Sequence, residues 1–160
     1  MGIEDERTEL PAAFDGSWAW RGGAVAGAIA TVAMGVAISL MDLELLRVAI
    51  AGLYGLEGSL AAGWIAHLVH GIIFGLIFAA FLSDPALYRV EETLWKSVVA
   101  GVVYGVVLTV VGAGLIMPMW LSAVGFQTPP SMPNVTLPSL VWHLVYGTVL
   151  GLLFPFVRDL

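Results

Sequence analysis

Residues 22–41, 58–83 and 97–157 contain no Asp, Glu, Lys or Arg, and a small water-soluble domain has no place to hide three such runs. A chain of 160 residues with 59% hydrophobic and 11% charged side chains still exposes much of its surface when folded, because small domains bury only part of what the unfolded chain exposes. A bilayer removes the conflict. In hydrocarbon, backbone polar groups must be satisfied within the protein, so apolar runs cross as helices of about 20 residues. The first two runs supply one helix each, and the third is long enough for two with a turn.

Prolines divide the third run. Pro118, Pro129, Pro130, Pro133 and Pro138, with Ser131 and Asn134 among them, lack a donor and clash with the preceding turn, so a continuous helix should not run through them. The reading is an acidic tail over 1–19 and helices near 21–41, 60–82, 96–117 and 138–157. Ser83-Asp84-Pro85 stops the second. The chain thus divides into a tail, a first two-helix unit over 20–83, a connecting loop over 84–95 and a second two-helix unit over 96–160.

With four spans, Arg7, Arg21, Arg89, Lys96 and Arg158 fall on the side shared by both termini and the middle loop, and Arg47 falls on the other. The excess of basic residues predicts cytoplasmic termini in a multi-pass cell-membrane protein. Trp18, Trp20, Trp64, Trp95, Trp120 and Trp142 lie near predicted helix ends, where an amphipathic ring suits the headgroup layer. The acidic start (Glu4, Asp5, Glu6, Glu9) is unlike a cleavable secretory signal, which begins basic and turns apolar.

Within the apolar runs a small residue recurs at every fourth position. The ladders are Gly23, Gly27, Thr31, Gly35; Gly63, His67, Gly71, Gly75; Gly101, Gly105, Thr109, Ala113; and Ser139, His143, Gly147, Gly151. A four-residue step keeps side chains on one helix face, where small residues let a neighbouring backbone approach closely. The segment from His67 to Phe78 returns 76 positions later, from His143 to Phe154, and Gly23, Gly27, Thr31 match Gly101, Gly105, Thr109 at an offset of 78. Two tandem hairpins, entering the membrane in the same direction, would be related by a pseudo-twofold axis along the membrane normal. The expected fold is all-α: a four-helix membrane bundle with the second and fourth helices in equivalent places.

The twice-repeated pattern of His, two apolar residues, His or Tyr, Gly, three residues and Gly resembles that of small haloarchaeal integral membrane proteins of unknown function, often labelled histidine kinase. The resemblance covers the chain after its acidic tail, and it implies a fold without implying catalytic residues. The kinase label does not follow, since nucleotide binding needs a phosphate-binding loop and metal ligands, and the soluble segments here are too short to fold such a domain.

His67 and His143 lie on equivalent ladders and are expected to face the bundle, with His70 one turn from His67. Three roles are open to them. Each imidazole can bond to a carbonyl or hydroxyl on a neighbouring helix, Ser39 being one candidate, and set the packing. Alternatively, His67 and His143 can ligate one b-type haem iron or metal in an electron-transfer protein. A third reading is a proton or solute path at the repeat interface with His70 opposite Tyr146, although no charged side chain lies within the spans to gate it.

Other chemistry is poorly served. With no cysteine there are no disulfides, thiolate metal sites or cysteine-ligated iron–sulfur clusters, and a net charge of −6 disfavours nucleic acid. Asp42, Glu44 and Arg47 are spaced for local ion pairing, and no acidic side chain shares the depth of the histidines to complete a catalytic triad. Met117, Met119 and Met132 cluster at the outer turn, where methionine packs more often than it binds copper. The long, apolar, proline-rich segment 117–138 is expected to cover the bundle or a partner. The reading as a whole is a non-enzymatic structural or accessory membrane subunit, in contact with lipid, other membrane subunits or a second copy of itself.

Overall fold

The computed structural model describes residues 17–84, 87, 90 and 93–160. The acidic residues of the tail, Arg7, Pro85, Arg89, the Glu91-Glu92 pair and the side chain of Trp18 lie outside the described residues. Among the described residues there are four long apolar helices: α1 (Ser17–Met41), α2 (Leu60–Leu82), α3 (Leu94–Ala123) and α4 (Leu137–Val157). The shortest has 21 residues, or roughly 31 Å at 1.5 Å per residue, enough to cross a hydrocarbon core of about 30 Å. Among the described residues there is no β-strand.

Local chemistry sets the helix starts. Ser59 precedes α2 and its side chain accepts from the Ala62 amide at 3.2 Å, and Thr136 does the same for Ser139 at the head of α4, also at 3.2 Å. Each cap satisfies an amide that the helix cannot. Pro138 occupies the first turn of α4, where no amide is needed.

α3 departs from expectation. It runs through Pro118 to Ala123 rather than ending at 117. From Leu108 to Ile116 the helix widens into π geometry, and normal α geometry resumes at Met117. The change of winding places Pro118 at the second position of a fresh α segment, so its missing amide costs little and its ring avoids the usual clash. A shorter π stretch, Leu45–Ile50, follows α1.

Unlike a soluble bundle, the protein is apolar on its outside as well as in its core. Val25, Ile29, Val32, Val36 and Leu40 line the exposed side of α1, while Thr31, His67, Ser97, Thr109 and Ser139 are buried. An outer surface of branched aliphatic side chains suits acyl chains.

α1 packs against α2 and α4, and α4 packs against α3, giving the spatial order α2–α1–α4–α3. Glycines make the tightest approaches. A methyl group on Gly27 would lie 2.7 Å from the Gly71 carbonyl oxygen and 2.9 Å from Gly75 Cα; on Gly101 it would meet the Gly147 carbonyl and lie 2.9 Å from Gly151 Cα. The α1–α2 and α4–α3 hairpins therefore share a packing register, with Gly27 of the first in the place of Gly101 of the second. That correspondence is an offset of 74, one helical turn away from the 78 that best matches the sequences of the two helices.

α1 and α4 run antiparallel along their whole length. A methyl on Gly22 would meet Val157 and Arg158 at one end, and the Trp142 indole donates to Met41 Sδ at 3.2 Å at the other. Trp142 is buried, so it belongs to the bundle seam instead of the expected headgroup belt. Trp20 and Trp95 are exposed.

Candidate functional site

The polar centre of the molecule lies in the half of the bundle toward the 42–59 connection. His67, on α2, is 6% exposed. Its ring lies against Gly35 of α1 and meets Trp64 edge-on with centroids 6.1 Å apart. Nε2 is buried without a hydrogen-bond partner. Glycine at position 35 makes this possible, since a methyl there would sit on the Trp64 ring and 3.2 Å from His67 Cδ2.

His143 occupies the corresponding rung of α4 but turns back on its own helix. Its Nδ1 is 2.7 Å from the Ser139 carbonyl oxygen and 3.4 Å from Ser139 Oγ. Ser39 is not the partner of either ring: its hydroxyl donates to Gly35 O at 2.7 Å. Thr31 and Thr109 likewise donate to carbonyls one turn back, Gly27 O at 2.6 Å and Gly105 O at 3.0 Å. Ser97 reaches across, donating to Gly151 O at 2.7 Å and joining α3 to α4.

His70 and Tyr146 do not pair. His70 Nε2 lies 2.6 Å from the Tyr54 hydroxyl, and both rings pack on Trp120 at 5.9 and 5.5 Å. The buried Tyr146 instead donates to Gly71 O on α2 at 2.7 Å. Tyr104, from α3, donates to Phe74 O on the same helix at 2.9 Å. Among the described residues these two tyrosines are polar ties between α2 and the second half of the protein; sequence reading gave Tyr146 a different partner, His70, and passed over Tyr104. The available signal was an aromatic hydroxyl within a charge-free span, which needs a partner once buried.

The seam between α2 and α4 is aromatic beyond Tyr146. Phe78 meets Phe154 edge-on at 5.5 Å and Tyr104 at 5.4 Å. At the opposite flank of the histidines, Leu121 is fully buried, Phe126 lies over Gly52, and the Asn134 amide donates to Gly114 O at 2.9 Å. The 117–138 segment thus folds back over the bundle end. An open apolar groove of about 600 Å³, lined by Leu94, Trp95, Val98, Val99 and Leu152, opens outward at the start of α3, remote from the histidines. Among the described residues no three His, Cys, Asp or Glu side chains converge as a metal site. No protein-family pattern, curated protein or solved structure matches the chain.

Proposed function

We propose that this chain is a non-enzymatic structural or accessory subunit of a membrane assembly, built from two tandem helical hairpins with both termini in the cytoplasm. The observation that carries the reading is how the interior polar groups are spent. The hydroxyls of Thr31, Thr109, Ser97, Tyr104 and Tyr146 all bond to helix carbonyls, and the ladder glycines stand against neighbouring helices, Gly35 and Gly71 against side chains and most others against backbone. Ser97, Tyr104 and Tyr146 thereby join helices, while Thr31 and Thr109 satisfy their hydroxyls within their own.

The shared register of the two hairpins supports duplication, as does the resemblance to small haloarchaeal membrane proteins with the same repeated pattern. The haem alternative has less support, because the α2–α4 seam that a macrocycle would enter holds Tyr146, Phe78 and Phe154. The solute-path alternative loses its polar pair with the separation of His70 from Tyr146.

Native mass spectrometry on the protein released gently from its own membranes tests the accessory role. The expected species contains this chain with other membrane subunits, or further copies of itself, at fixed stoichiometry. A lone monomer under conditions that keep known membrane complexes intact would refute it. The absorption spectrum of the same sample is expected to lack a Soret band.

A further inference from the structure

The start of α3 and the facing end of α4 leave an open groove in a surface suited to acyl chains. The two backbones are locked together beside it: Ser97 Oγ donates to Gly151 O at 2.7 Å, and a methyl on Gly151 would meet Ser97 O and lie 3.0 Å from Val98 Cα. The helices cannot move closer to fill the space. Leu94, Trp95, Val98 and Val99 of α3 and Leu152 of α4 thus wall a preformed groove of about 600 Å³, joined by Thr93 just before the helix.

Lining and place together select the occupant. The α3 wall runs over 93–99, roughly 9 Å at 1.5 Å per residue, so in a bilayer the groove leads from the headgroup layer into the outermost hydrocarbon. Its side chains are apolar and it opens outward. Trp95 is exposed, and an indole at a helix end suits the headgroup layer. Lys96 follows it, also exposed, and is the single lysine of the sequence. It is the one charged side chain between 93 and 157, so neither helix that walls the groove supplies a carboxylate to neutralise it over that length. The other described charges at this end, Arg21, Asp84 and the Arg158–Asp159 pair, stand at the ends of α1, α2 and α4. A point charge at the headgroup layer attracts phosphate.

We propose that this groove seats an acyl chain of one anionic phospholipid, whose headgroup phosphate lies against Lys96. A water-soluble ligand gains nothing from an apolar groove that opens on hydrocarbon, and α3 or α4 of a second copy would bring Lys96 no carboxylate over 97–157. The site depends on residence in a bilayer and not on the accessory role, so either can fail alone.

Native mass spectrometry of the full-length protein in detergent, supplied with phosphatidylglycerol or with phosphatidylcholine of the same chain lengths, tests the assignment. Phosphatidylglycerol is expected to stay bound to the chain in preference to phosphatidylcholine, with retention about fivefold lower in Lys96→Gln. Arg21→Gln, which removes a cation from the same end of the bundle but away from the groove, is expected to change nothing. Leu152→Trp, whose indole fills the groove, is expected to abolish retention. Lys96 and Leu152 are both exposed, so neither change opens the core. The unaltered protein decides without any variant: equal retention of the two lipids, or of neither, would overturn the proposal. So would an equal loss in Arg21→Gln, which would mean diffuse attraction to that end, or a dimer abolished by Leu152→Trp, which would give the groove to a second copy.

Discussion

A methyl group is the smallest side chain that can be placed at Gly147, and it would meet the Gly101 carbonyl oxygen, with Gly101 C at 2.9 Å and Gly105 N at 3.1 Å. All three are backbone atoms of α3, so relief requires the helices to separate. Gly147→Ala is expected to destabilise the protein by about 1–3 kcal/mol, the usual cost of overpacking. Gly112 is the control, since a methyl there meets nothing within 4 Å, and Gly112→Ala is expected to be neutral or to gain up to about 1 kcal/mol from helix propensity. Unfolding in detergent measures both, and equal effects would mean that the contact at Gly147 is not the cause. Tyr146→Phe keeps the ring but removes the donor to Gly71 O. Its expected cost is about 0.6 kcal/mol and at most about 1.7 kcal/mol, the range found for interhelical hydrogen bonds in a membrane protein.

At the scale of elements, the end of α3 acts as a cap. Leu121 is fully buried, and Trp120 packs on Tyr54 and His70. Leu121→Ala should cost about 2–5 kcal/mol if the cap is packed as a core is packed; thermal unfolding measures it, and a loss below about 0.5 kcal/mol would mean a surface flap. Helix number and position were legible because charge-free runs of about 20 residues have few other solutions. The continuation of α3 through Pro118 was not, since the proline is tolerated only after the π stretch resets the winding, and nothing in Leu108–Ile116 announces that change. The pairing of the ladders was legible only modulo one turn. A small residue every four positions presents nearly the same surface after a slip of about 6 Å, so the sequence match at 78 and the packing match at 74 differ by one rung. At the candidate site, the burial of His67 was readable from its ladder. The different surroundings of the two rings were not, because His67 lies against Gly35 of α1, whereas His143 bonds within its own helix.

Across the whole molecule, the two hairpins meet chiefly through α1 and α4. α2 and α3 are bridged by side chains, with the Tyr104 hydroxyl on Phe74 O and its ring against Phe78. The proposed orientation is directly measurable because the chain contains no cysteine, so single-cysteine reporters have no background. With termini in the cytoplasm, Glu57→Cys is expected to react with an impermeant maleimide added to intact cells, and Asp159→Cys only after permeabilisation. The reverse pattern would invert the topology, and labelling of both from outside would require an odd number of spans. The α1–α4 seam also bears on biogenesis. Its two sides are separated by two intervening spans, so a nascent chain carries an unfinished face on α1 until α4 has followed. Closure of that seam therefore waits for α4 to enter the bilayer, and until then lipid must shelter Gly22 and the rest of that bare flank.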